Sequence, residues 1–304
     1  MIVPRWMRIV FWANLVAQTA IVVTGAVVRL TGSGLGCPTW PECVEGSYVP
    51  VARQAEAWHK YVEFGNRLLT FALGVVAIAT VIAAIVYTFR LARAGQPMRP
   101  SILWLGIAPL IGTMAQAVLG GITVLTGLNP VTVGLHFLVS FALIAASVAL
   151  VVRSRDSGDQ PVAFLARKAV RAYTWTLIAV TVLVVILGVI TTGSGPHSGD
   201  AESEHRFPFD PRTVAWLHAD IVLLFVGLLI GYLILVQVTN APTRTWRVAW
   251  ILAGITMAQG CVGYTQYFTG LPVVAVTIHV TLACLLWVTV LFLPGTLRTR
   301  GVAS

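Results

Sequence analysis

Apolar residues run almost unbroken through eight stretches of the chain, at about 9–29, 62–89, 101–124, 132–152, 173–192, 214–238, 248–268 and 273–294. Each is long enough to cross roughly 30 Å of hydrocarbon as a helix, so the expected fold is an all-α integral membrane protein with eight transmembrane helices. No soluble domain of any size remains between them. The first run is expected to stay in the protein: it continues into a patterned glycine-rich stretch, has no Ala-x-Ala cleavage site, and is needed by the seven later runs for parity.

Composition agrees. Of 304 residues, 57% are hydrophobic and only 10% charged, and the mean hydropathy of +0.85 is far above that of water-soluble domains. The formal charge of +9 reads as a topology signal. With the N-terminus inside, the inner segments hold 14 of the 20 basic residues, the excess expected of short cytoplasmic loops. Both termini are therefore expected in the cytoplasm, with anionic membrane lipid as the partner of the basic residues and no nucleic acid. Glu42, Glu45, Glu56, Asp200, Glu202, Glu204 and Asp210 fall instead in two long outer loops, 30–61 and 193–213.

The chain repeats itself. MAQAVLGGITVLTGL at 114–128 returns as MAQGCVGYTQYFTGL at 257–271, a constant offset that pairs Met114 with Met257, Gln116 with Gln259, Gly120 with Gly263 and His136 with His279. TGSG closes both the first run (31–34) and the fifth (192–195). More weakly, VEFGNRLL at 62–69 aligns with VAWLHADI at 214–221, setting Asn66 opposite His218. Four helices per repeat place the two copies in the same orientation. The expected organisation is two tandem pseudo-symmetric four-helix bundles, 1–152 and 173–304, joined by a charged cytoplasmic linker at 153–172. Bundle cores are where cofactor sites are built from facing side chains.

His136, His218 and His279 lie near the outer ends of apolar runs, at one depth, where ionisable residues are costly and usually functional. Neutral imidazoles on facing helices, His218 and His279 in one half, suit a low-spin haem with two axial ligands. Zinc or copper needs further ligands, and the helical neighbours supply only Asp220. His197 and His205 read as solvated loop residues, whereas His59 stands two turns ahead of Asn66 at the mouth of the N-terminal bundle. Cys37 and Cys43, six positions apart in GCPTWPEC, favour a disulfide in an oxidising outer compartment, either a structural staple or, if exposed, a redox relay. Cys261 and Cys284 read as packing residues inside helices. Glu63 is the intramembrane carboxylate that matters. It either pairs with Arg67 at i, i+4 or handles a proton or reactive cation beside a cofactor pocket.

TGAVVRLTGSGLGCPTWPEC at 24–43, the EFGNR of the second run, the two MAQ repeats and the bundle histidines resemble the haem A synthase (CtaA/Cox15) family over essentially the whole chain. The resemblance implies a plasma-membrane oxidoreductase, active on its outward side, that converts a ring methyl of haem O to a formyl group, giving haem A for cytochrome oxidase. It further implies haem b as cofactor on His218 and His279, the substrate haem in the N-terminal half at His136 and position 66, Glu63 in the chemistry, and Cys37–Cys43 as the outer-loop disulfide. Partners implied are haem O, a haem O synthase and an electron donor, for which no nucleotide, flavin or iron–sulfur motif appears. The family generally carries histidine where this chain has Asn66, a poor iron ligand. Either His136 alone ligates the substrate haem or another group such as His59 substitutes. Two rival readings use the same residues: a bis-histidine cytochrome carrying electrons from quinol to an outer acceptor, and a haem-transfer protein.

Overall fold

The computed structural model describes residues 2–159, 162–200, 203 and 205–300. Glu202 and Glu204 of the second outer loop therefore lie outside the described residues. The eight helices are α1 (Arg5–Leu30), α2 (His59–Arg93), α3 (Pro100–Leu125), α4 (Pro130–Arg155), α5 (Lys168–Ser194), α6 (Pro211–Val238), α7 (Thr243–Phe268) and α8 (Val273–Thr296). Among the described residues all eight are long and apolar enough to cross a membrane, and each contains one of the expected runs. The helices extend past the runs by up to five residues, at the starts of α5 and α7; α2 starts three residues earlier and ends four later. Its first turn is polar because it packs into the α1–α2 loop, where the buried Lys60 ammonium donates to the carbonyls of Val51 and Ala52 at 2.8 and 3.3 Å.

Proline or a capping side chain opens several helices. Asn129 accepts from the Val131 N–H and Asp210 from the Thr213 N–H, each ahead of a proline at the first helical position, where the missing N–H is not needed. Sequential helices form antiparallel hairpins α1–α2, α3–α4, α5–α6 and α7–α8; α2 also packs on α3 and α1 on α4, while α6 packs on α7 and α5 on α8. The two sets meet through α1, α4, α5 and α8. Their shared core includes Met7, Phe11, Ile144, Val148, Val151, Val290 and Leu293. Side-chain hydrogen bonds support it: Asn14 Nδ2 donates to Ser147 Oγ at 2.9 Å between α1 and α4, and Trp287 Nε1 donates to the Phe141 carbonyl at 2.9 Å from one set to the other. In a bilayer, where lipid tails are as apolar as leucine, such bonds and close packing hold helices together.

The segment after α4 is tied down. Arg99 donates to the carbonyls of Arg153 and Asp156 and to Tyr87 Oη, and Arg153 pairs with both Asp156 and Asp159. Arg298 pairs with Asp156 at 3.2 Å, and the two-residue strands β1 (Ala163–Phe164) and β2 (Arg298–Thr299) run antiparallel. The end of α8 and the α4–α5 connection therefore share one face, as an even number of crossings between them requires.

Candidate functional site

At the opposite face the loop after α1 folds back over the N-terminal four helices. Trp40 lies flat on α3 at Gly121, where a Cβ would stand 2.4 Å from the indole ring, so only glycine admits this contact. Ser33 Oγ and His59 Nδ1 are 2.9 Å apart, and the His59 ring stacks on Trp58. The α5–α6 loop closes on the α1–α2 loop: Gly34 N–H donates to the Gly199 carbonyl at 2.7 Å, and Arg29 donates to the carbonyls of His197 and Thr192. Burial, and then the Arg29 charge, hold the His197 imidazole below its ordinary pKa.

Glu63 sits in this arrangement, 6% exposed. Its Oε2 accepts the Cys37 N–H at 2.6 Å, and its Oε1 accepts from Arg67 Nη2 at 2.7 Å and Nε at 3.1 Å. The expected i, i+4 ion pair is present, and it does more than join two side chains of one helix. Arg67 also donates to the carbonyls of Cys37, Thr39 and Glu42, so the pair anchors the whole GCPTWPEC loop. Cys37 and Cys43 are disulfide-bonded, and both are fully buried. The premise for a redox relay was an exposed disulfide, and this one is shielded. Of the other two cysteines, Cys284 packs inside as expected, whereas Cys261 is exposed on α7.

The three bundle histidines lie about two turns inside their helices, on α4, α6 and α8. Each ring rests its Cε1 edge on a glycine of the preceding helix: a Cβ placed on Gly120, Gly188 or Gly263 would stand 3.4 Å from Cε1 of His136, His218 or His279. The repeats pair Gly120 with Gly263, so this partner was readable; Gly188 lies outside the repeated phrase and was missed. In all three rings Nδ1 is buried without a completed hydrogen bond, the Val184 carbonyl lying near that of His218. A buried nitrogen normally finds a partner. Three such rings at one depth, docked alike in apolar surroundings, fit neutral imidazole ligation of haem iron. Among the described residues no three His, Cys, Asp or Glu side chains converge as a metal-ion cluster.

Asn66 is in place one turn below Glu63, but its Oδ1 accepts from Thr24 Oγ1 at 2.8 Å. His59 stands seven residues, roughly 10 Å of helix rise, towards the outer face from it, with its ring committed to Ser33 and Trp58. His205 is exposed, with its ring beside Gly127. The contributions of Arg29, Trp40 and Thr24 escaped the sequence reading. Each acts through a partner far away in the chain.

The family model for COX15-CtaA, described as cytochrome oxidase assembly protein, matches residues 8–291. Curated relatives are named heme A synthase. That of Lysinibacillus sphaericus is 32% identical over 193 residues, 61% of this chain and 57% of the relative. That of Geobacillus thermodenitrificans is 33% identical over 124 residues, 40% and 35% of the two chains. That of Bacillus cereus is 23% identical over 289 residues, 90% and 87%. The matched stretches of the first two thus span about a third to three fifths of those relatives. With a match across nearly its whole length, this multi-pass membrane protein belongs to the COX15-CtaA family.

Proposed function

We propose that the chain is a haem A synthase: it binds haem O and oxidises one ring methyl to the formyl group of haem A. The observation that carries this reading is the asymmetry between the halves. One half presents two bundle histidines at matching levels, His218 on α6 and His279 on α8. The other presents a single histidine, His136, together with a buried carboxylate held by the disulfide loop.

In this account the two halves are tandem, pseudo-symmetric four-helix bundles, residues 1–152 and 173–304, with the 153–172 segment and both termini in the cytoplasm. The site then opens towards the outer side of the plasma membrane. The asymmetric distribution of basic residues supports that orientation. His218 and His279 would hold haem b, which would supply one-electron transfer when bound. His136 holds the substrate haem in the N-terminal half. A haem O synthase delivers the substrate, and an electron donor completes the cycle.

Glu63 is the residue assigned to the chemistry. Three donors, the Cys37 N–H and two from Arg67, set its position before any substrate arrives, so no reorganisation is required when charge develops nearby. A fixed carboxylate in a site shielded from water stabilises developing positive charge, or receives a proton, far better than one in bulk solvent. Arg67 and the Cys37–Cys43 staple are positioning elements, acting on the carboxylate through the loop. The buried disulfide supports a structural role over a redox one.

The rival electron carrier predicts equivalent ligand pairs in both halves, and Asn66 stands where the second N-terminal histidine would be. The test is co-expression with a haem O synthase in a host that makes no haem A, followed by extraction and chromatography of the membrane haems. Haem A is the expected product. Unchanged haem O beside an intact protein-bound haem b spectrum would favour the electron carrier.

A further inference from the structure

The α2, α4, α6 and α8 helices each carry one residue at the level of the candidate site: Asn66, His136, His218 and His279. Three of these positions follow one rule, a histidine ring docked edge-on against a glycine of the helix before it. In the α1–α2 hairpin the rule is broken on both sides. Aligning TGSG 31–34 with TGSG 192–195 sets Val27 where α5 has Gly188, and the α2 and α6 alignment sets Asn66 where α6 has His218. Val27 and Asn66 line one groove of about 400 Å³ with Thr24, Val28, Val62 and Leu69.

Asn66 is unsuited to iron on two counts. Its carbonyl oxygen is held by the Thr24 hydroxyl, which fixes the side chain's orientation, and its amide nitrogen is a donor with no lone pair to offer. Val27 would deny the docking slot to a ring even if one were restored. A branched side chain there fills the space that a glycine leaves to Cε1 in the other three hairpins. The paired change reads as a site remade, and His59 is too far along α2 to compensate.

We propose that the N-terminal half holds its haem from one side only, through His136, and that Val27 and Asn66 leave the opposite side open to a small diatomic ligand. The inference rests on the reading that this half takes a haem. It adds that the groove at Asn66 is a ligand site in its own right, of the class that carbon monoxide probes.

The test uses the full-length protein purified with its haems, reduced, and titrated with carbon monoxide. In the wild type, one of the two haem populations is expected to form the adduct, and His136→Ala is expected to remove that population while His218→Ala leaves it. Asn66→His alone is expected to keep the adduct, because Val27 still blocks the slot. The pair Val27→Gly with Asn66→His is expected to turn the site six-coordinate and reduce carbon monoxide affinity by at least about tenfold, roughly 1.4 kcal/mol. Both haems present with no adduct would overturn the inference and leave the proposed function standing. An adduct that survives His136→Ala but not His218→Ala would also overturn it. An adduct formed by a protein that makes no haem A would support the open face and count against the synthase.

Discussion

The Cys37 backbone N–H donates to Glu63 Oε2 at 2.6 Å, so the disulfide loop and the buried carboxylate of α2 form one unit. Arg67 closes the circuit, binding Glu63 on one side and the carbonyls of Cys37, Thr39 and Glu42 on the other. Removing any one member loosens the others.

Replacing Glu63 by Gln keeps the shape and removes the anion. Haem A formation is expected to fall by a factor on the order of 10² to 10³, the range seen when a fixed electrostatic group is deleted, while the low-spin haem spectrum assigned to His218 and His279 is unchanged. Chromatography of extracted haems measures the first and difference spectroscopy the second. A variant that retains full product formation would leave Glu63 a loop anchor only.

The Cys37→Ser, Cys43→Ser pair removes a cross-link between residues six positions apart. Chain-entropy estimates put so short a closure at about 2 kcal/mol. The expected result is a lower yield of haem A with haem b retained, since the residues assigned to haem b lie on α6 and α8 rather than in this loop. Because both cysteines are fully buried, mild reductant is expected to leave the native protein oxidised, as thiol labelling with and without denaturant would read.

His218→Ala or His279→Ala is expected to abolish the bis-histidine spectrum, and either change should be as severe as the two together, because a low-spin haem needs both ligands. His197→Ala and His205→Ala are expected to leave that spectrum intact. Loss of the spectrum in either loop variant would contradict the assignment.

At the cluster that ties down the segment after α4, burial pushes the Asp159 carboxyl upward, but the hydrogen bond from Ser101 and the charges of Arg153 and Arg99 outweigh it and hold its pKa below the ordinary 3.8. A depressed carboxyl contributes stability that is fully present above its unfolded pKa and is lost as pH falls through the folded value. Asp159→Asn is therefore expected to lower stability by about 1 kcal/mol uniformly from pH 5 to 8. The gap to wild type should narrow only below about pH 4. Melting curves in detergent across that range test the sign.

Much of this was legible because the membrane imposes a simple rule. Backbone groups must bond within each crossing, so every long apolar run had to be a helix, and all eight are. The repeats likewise placed His136, His279 and Gly120 with Gly263 at matching levels. The Glu63–Arg67 pair is local and obeys helical spacing. What escaped notice depends on distant segments meeting: Trp40 on Gly121, Arg29 on the His197 carbonyl, and Cys37 N–H on Glu63 are separated by many residues, and no periodicity encodes which loop folds over which mouth. The 153–172 linker looked detached because it is polar, yet its carboxylates Asp159 and Asp156 pair with Arg99 and Arg298, partners visible only in three dimensions.

The most direct measurement is to give the purified protein haem O under air together with a chemical reductant as electron donor, and to follow the haem by mass. The account predicts a product heavier by one oxygen less two hydrogens, formed by the wild type and lost in Glu63→Gln. Haem O recovered unchanged from a wild-type protein whose His218 and His279 haem is spectroscopically intact and turning over electrons would contradict it.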